Sequence, residues 1–162
     1  MLAFNNIGSL GRLGNQMFEY AALRGIAARH SYDFCIPPED RKGIENYSLH
    51  DCFKLSPDRR EGVIDDFQYV QEPHFHFSEQ LFEQCPDNVS LHGFFQSWRY
   101  FANVREQLRE DFTFHDGILN PCKEMMEELE GQEPIMLHVR RGDPNLTDPR
   151  GFKWSYTQCG SM

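Results

Sequence analysis

A chain of 162 residues, 40% apolar and 25% charged, has the material for one ordinary domain with a hydrophobic core and the composition of a globular protein. Its formal net charge of −9 argues against nonspecific binding to nucleic acid or to an anionic bilayer, because both need a basic surface. The five cysteines (35, 52, 85, 122 and 159) are widely spaced and contain no C-x-x-C pair, which gives no support to a zinc ribbon, a redox motif or a disulfide framework.

Residues 2–7 read as a short strand, followed by a loop with glycines at 8, 11 and 14. From 15 to 29 there is no proline, and apolar residues circle the helix: Met17, Phe18, Ala21, Ala22 and Gly25 on one face, Tyr20, Leu23 and Ile26 over much of the rest. Such a helix is mostly buried, as in a layered α/β domain. Residues 32–36 form a second candidate strand, stopped by Pro37 and Pro38. Strand, glycine loop, helix and strand outline a βαβ unit. The stretch 39–72 is rich in charge and turn residues and predicts little order.

Residues 78–84 predict a short helix and 89–92 a strand. Residues 97–112 have the spacing of one amphipathic helix, with Trp98, Phe101, Val104, Leu108 and Phe112 inward and Arg105, Gln107 and Glu110 outward. A further helix is capped by Asn120, carries Pro121 at its first position and ends at Gly131. Pro134 then opens a nearly continuous apolar strand through residue 139, which predicts burial on both faces of a parallel sheet.

Two segments can carry chemistry. At the end of that last strand stands His138-Val139-Arg140-Arg141-Gly142-Asp143, where the carboxyl edge of an open sheet places ligands. Adjacent arginines there can present fixed charge and planar donors to a diphosphate. Arginines that simply run into solvent and pair with Asp143 account for the same residues, so both readings stand open at this point. The second segment is Gly11-Arg12-Leu13-Gly14-Asn15-Gln16, where backbone amides leading into a helix can hold an anion or a sugar hydroxyl. It is neither a P-loop nor G-x-G-x-x-G, and a purely structural turn, with Asn15 as a helix cap, fits it equally well. His74 and His76 would share a strand face without a third metal ligand, and Glu124, Glu127, Glu128 and Glu130 read as a solvated helix face. No G-x-S-x-G nucleophile elbow occurs.

Four segments in order resemble glycosyltransferase family 11, the α-1,2-fucosyltransferases. They are Gly11-Arg12-Leu13-Gly14-Asn15-Gln16-Met17-Phe18-Glu19-Tyr20-Ala21, then Gly93-Phe94-Phe95-Gln96-Ser97-Trp98-Arg99-Tyr100-Phe101. Leu108-Arg109-Glu110-Asp111-Phe112-Thr113-Phe114 follows, and His138 to Asp143 completes the set as H-V-R-R-G-D. The resemblance implies an α/β fold of GT-B type, in which this chain is the Rossmann-like N-terminal half with a parallel sheet and flanking helices. It also implies an acceptor-side domain over 1–132 and the incomplete start of the nucleotide-sugar domain over 133–162.

The implied activity is transfer of L-fucose from GDP-fucose to a glycan hydroxyl, with inversion and no metal cofactor. Arg140 and Arg141 would contact the donor diphosphate, with His138 shaping the pocket, and Asp143 would act as base or as partner of the arginines. Gly14, Asn15 and Gln16 would approach the donor from across the cleft. Pro144 departs from the tyrosine common after the signature aspartate. Family members run to about twice a domain of this size. The sequence therefore predicts a truncated chain with weak or no transfer on its own, a second chain supplying the missing half, or a non-catalytic carbohydrate- or nucleotide-binding remnant. The opening residues carry no signal peptide, which predicts a cytoplasmic protein and makes the N-x-[ST] triplets at Asn46, Asn88 and Asn145 incidental.

Overall fold

The computed structural model describes residues 1–41, 46–65, 68–135 and 137. Met1–Lys123 form one compact unit and Glu124–Met162 a second. The first is an α/β unit built on five parallel strands in the order β3-β2-β1-β5-β4. These are β1 (Leu2–Ala3), β2 (Phe34–Ile36), β3 (Arg60–Glu61), β4 (Gln68–Gln71) and β5 (Val89–His92). The predicted strands near residues 2, 34 and 89 are all present. Leu2 sits between Phe34 on one side and Val89 on the other, so β1 is central and fully buried.

Strands β3 and β4 lie in the stretch expected to hold little order, together with α2 (Leu49–Cys52). Both are edge strands, and all their residues but Val70 are exposed, so no apolar alternation marks them in the sequence. Their backbone pairing shows only in the fold: Cys35 registers with Arg60, and Gln68 with Val89.

Helix α1 (Leu13–His30) is the long apolar helix anticipated, starting two residues early and ending on Ser31 in the left-handed conformation, φ 57°. Tyr20, Ala22, Leu23 and Ile26 have no exposed surface, whereas Phe18 remains 36% exposed. The Tyr20 hydroxyl donates to Asp111 at 3.0 Å, and Arg24 meets the same carboxylate at 2.9 Å. This nearly buried trio joins α1 to α4 (Arg105–Asp111).

The single amphipathic helix expected over 97–112 is not formed. Two 3₁₀ turns, Trp98–Tyr100 and Ala102–Val104, precede α4. The cause is a close approach: a methyl group at Gly25 would lie 2.1 Å from the Tyr100 carbonyl oxygen and 2.7 Å from the Phe101 Cα. Asn103 also donates to the Gly25 carbonyl at 2.9 Å. Backbone pressed against backbone at Gly25 replaces the regular ladder, and Trp98, expected inward, is 68% exposed.

Helix α3 (Glu79–Gln84) starts where expected, with the Ser78 hydroxyl accepting from the Leu81 amide at 3.2 Å. Helix α5 (Asp116–Glu128) begins earlier than predicted, with Pro121 inside it rather than at its first position. The His115 carbonyl accepts from the Ile118 and Leu119 amides, so the first turn forms upstream of Asn120. Gly131 then turns with φ 81°. Residues 136, 138 and 139 of the last predicted strand lie outside the described residues. Ile135 and Leu137 belong to no strand and are 96% and 83% exposed. No helix among the described residues is long and apolar enough to cross a membrane.

Candidate functional site

The strand order creates the site. The chain leaves β1 for β2 on one side and later brings β5 in on the other, so the loops after β1 and β5 diverge at the carboxyl edge of the sheet. Crevices at such switch points are where open α/β sheets bind ligands. One wall is the loop 4–12 together with the first turn of α1, and the other is the loop 93–97. They meet through their side chains: Gln96 Nε2 donates to Asn15 Oδ1 at 2.8 Å, and Phe4 meets Phe95 edge-on at 5.9 Å between ring centroids. The first two segments of the family resemblance, far apart in sequence, thus share one site.

The wall after β5 is tightly constrained. Gly93 has φ 148° and Phe95, fully buried, has φ 49°, a conformation that disfavours a side chain. A carboxylate holds it: Glu72 Oε2 accepts from the Phe94 and Phe95 amides, both at 2.9 Å. Glu72 follows β4 and is itself buried. A methyl group at Gly93 would lie 2.4 Å from the Glu72 Cβ, so the glycine is what lets the acid in. Sequence reasoning missed Glu72, which stands at the end of the stretch read as poorly ordered. The only hint is indirect, in the aromatic pair after Gly93 whose amides need an acceptor.

The wall after β1 places the three predicted residues differently. Gly14 is exposed, and a methyl group there would meet open space. Asn15 lies inside α1, and the capping position is Arg12, whose side chain makes no cap hydrogen bond. Asn15 is therefore no helix cap, and its amide faces Gln96. Gln16 is fully buried: its Nε2 donates to the carbonyls of Asn46 and Gly11, and its Oε1 accepts from the Ser48 amide. Its amide clasps the segment 46–48 to the start of the helix.

One turn further on, Glu19 has no exposed surface, and its oxygens make no hydrogen bond of ordinary geometry among the described residues. Burial raises its pKa from 4.5 to about 7, an effect that the nearby Gly8 amide opposes.

Beside the loops, an open hollow of about 890 Å³ runs along the outer side of α1. Gly14, Met17, Phe18 and Ala21 form one side, and Trp98 and Phe101 head the other. The size is that of a small-molecule site. Its charges, Arg105 and Arg109, come from α4 and pair with Glu106 at 3.9 and 3.5 Å.

His138, Arg140, Arg141 and Asp143 lie outside the described residues. His74 and His76 are exposed, with His74 Nδ1 2.9 Å from the His76 carbonyl oxygen, and no group of three or more metal-ligating side chains occurs among the described residues.

Comparison with known proteins gives the site its context. The chain is 31% identical over 152 residues to galactoside alpha-(1,2)-fucosyltransferase 1 of Rattus norvegicus, covering 88% of this chain and 39% of that protein. It is 30% identical over 152 residues to the protein of the same name from Saimiri sciureus and 29% to that from Ateles belzebuth, in each case over 88% of this chain and 40% of the relative. The chain thus spans about 40% of the length of these relatives. No solved structure matches. The family model for glycosyl transferase family 11 matches residues 2–157, nearly the whole chain, and the protein belongs to that family.

Proposed function

We propose that this chain is the N-terminal portion of a GDP-fucose-dependent α-1,2-fucosyltransferase of GT-B type, with its acceptor-side domain over 1–132 and the start of the nucleotide-sugar domain from 133. The observation that carries the reading is the meeting of Asn15 and Gln96, from two family segments, at the carboxyl edge of a parallel sheet in a chain matched to family 11 along its length. Relatives named for α-1,2-fucosyl transfer to galactosides support the same chemistry.

Loss of GDP from the fucose anomeric carbon leaves negative charge on the β-phosphate. Arg140 and Arg141 are the groups in this sequence best suited to stabilise it, with charge that does not depend on pH and no need for a divalent metal. His138 borders that pocket. Asp143 orients the arginines or accepts the acceptor hydroxyl's proton as that oxygen attacks with inversion. On this reading Gly14, Asn15 and Gln16 would also contact the donor, with Gln16 fixing the loop and Asn15 presenting its amide.

Titration calorimetry with GDP and GDP-fucose tests the reading. Binding of GDP that weakens at least tenfold in Arg140→Ala is expected. Unchanged GDP affinity in that variant removes the arginine pair from the site. GDP binding without fucosyl transfer to lactose would make this chain a nucleotide-binding portion that needs a second segment for turnover.

A further inference from the structure

The loop after β1 meets α1 at two glycines. At Gly11 an added methyl would lie 2.0 Å from Asn15 Nδ2 and 2.8 Å from Asn15 Cβ, so the loop backbone rests directly on the side chain that reaches Gln96. Gln16 Nε2 holds the Gly11 carbonyl there at 3.3 Å. Gly8 turns with φ 87°, and its amide is the backbone group that acts on the Glu19 carboxyl. We infer that Glu19 is the latch of this loop: as a neutral acid it lets residues 8–11 lie closed on α1 and hold Asn15 toward Gln96, and as a carboxylate it draws water beneath them and releases Asn15. The inference concerns the loop itself and holds whichever ligand the crevice takes.

The placement of Glu19 is the first support. It stands one helical turn beyond Asn15 on the same side of α1, has no exposed surface, and makes no hydrogen bond of ordinary geometry among the described residues. The cover above the loop is thin, because Gly8 is buried without a side chain and Ser9 beside it is exposed. A carboxylate at this depth with one amide in reach is poorly compensated, and water admitted under a short loop relieves it.

No charged side chain offsets that cost. Along α1, Tyr20 and Arg24 are committed to Asp111 of α4, and Arg29 to Glu83 of α3. In α2, His50 lies 3.0 Å from the Tyr47 hydroxyl, Asp51 is exposed, and burial raises the pKa of the Cys52 thiol, as it does for Cys35 in β2. On the remaining neighbours, the Tyr100 hydroxyl accepts from the Ser78 amide, while Glu79 and Arg99 are exposed. In α4, Arg105 and Arg109 face Glu106. Of the cations near the loop, Arg12 is exposed and Arg41 donates to the Asn5 carbonyl. The loop 93–97 has no ionisable side chain, and Glu72 behind it accepts from the Phe94 and Phe95 amides.

The direction follows from linkage. Burial moves the Glu19 pKa from 4.5 to about 7, so the closed loop binds this proton more tightly than an opened loop with the acid in water. Ionisation therefore shifts the balance toward the open form by the same factor, at most about 300-fold. The loop is latched at acid pH and released as pH rises through about 7.

Nuclear magnetic resonance on the full chain, titrated across neutral pH, provides the test. It follows the Glu19 carboxyl carbon, the side-chain amides of Asn15 and Gln96, and the exchange of the Gly8 and Ser9 backbone amides relative to unstructured-peptide rates. One shared midpoint near 7 is expected, with protection of the two loop amides falling at least tenfold across it. In Glu19→Gln the loop signals stay flat, an outcome that a merely structural acid would not produce. A Glu19 carbon that titrates near 4.5 overturns the inference. So does one that titrates near 7 while Asn15 and Gln96 stay still, or a loop transition that persists in Glu19→Gln. Should that variant fail to fold, the parent decides alone: a common midpoint for the carboxyl carbon and the loop amides supports the latch, and separate midpoints overturn it.

Discussion

The two walls of the crevice each stand on a buried glutamate, and the two acids are treated in opposite ways. Glu72 receives two backbone amides at 2.9 Å and holds a loop in which Phe95 has a left-handed conformation that disfavours a side chain. Glu19 lies beneath the other loop with no comparable bonds, and burial lifts its pKa to about 7. A buried carboxylate with donors aimed at it is a fastener; one without them is a cost that protonation relieves. One wall is therefore rigid by construction, while the other sits above a group whose charge changes near neutral pH.

The largest expected effect breaks the rigid wall. In Gly93→Ala the added methyl would lie 2.4 Å from the Glu72 Cβ, at a backbone φ of 148° that alanine disfavours. A destabilisation of about 3–5 kcal/mol is expected in urea unfolding. A loss under about 1 kcal/mol would mean that Glu72 does not set the loop.

Next comes Glu19→Gln, which sharpens the contrast from the other side. Because the folded pKa lies above the ordinary value of 4.5, the folded state holds the proton more tightly than the unfolded chain. The contribution of Glu19 is fully favourable below 4.5 and is lost as pH rises through about 7. The neutral glutamine is expected to exceed the parent in stability by up to about 3 kcal/mol at pH 8, with the gap closing toward pH 4.5. Equal stability of the two proteins at both pH values would show that the acid is better served than its surroundings indicate.

The smallest effect is expected for Glu72→Gln, which keeps the shape and one acceptor oxygen but removes the charge. A loss of about 1–2 kcal/mol is anticipated, with faster hydrogen exchange at the Phe94 and Phe95 amides. Unaltered exchange at those two amides would deny the carboxylate its role.

Where burial and local capping determine an element, this chain announces it. Helix α1 is apolar nearly all round and is found within two residues of its expected start, and Ser78 caps α3 as its position before the helix implies. Where a contact comes from elsewhere in the fold, the local pattern misleads. Residues 97–112 have helical spacing, but the approach of their backbone to Gly25 breaks the first half into 3₁₀ turns. Strands β3 and β4 are exposed edges held mainly by backbone pairing with their neighbours, with Val70 alone of their residues packed against the core. The site is legible to the same extent. Asn15 and Gln96 each stand in a recognisable segment, but their hydrogen bond follows from strand order, and Glu72 has no local signature at all.

That strand order also fixes when the sheet can close during synthesis. The last of the five strands to leave the ribosome, β5, is inserted between β1 and β4, two partners already made. Until residue 92 has emerged, β4 has nothing to pair with and one edge of β1 stays bare. A nascent chain therefore passes through a stage with open strand edges, and shielding by a chaperone matters most just before the Gly93 turn appears.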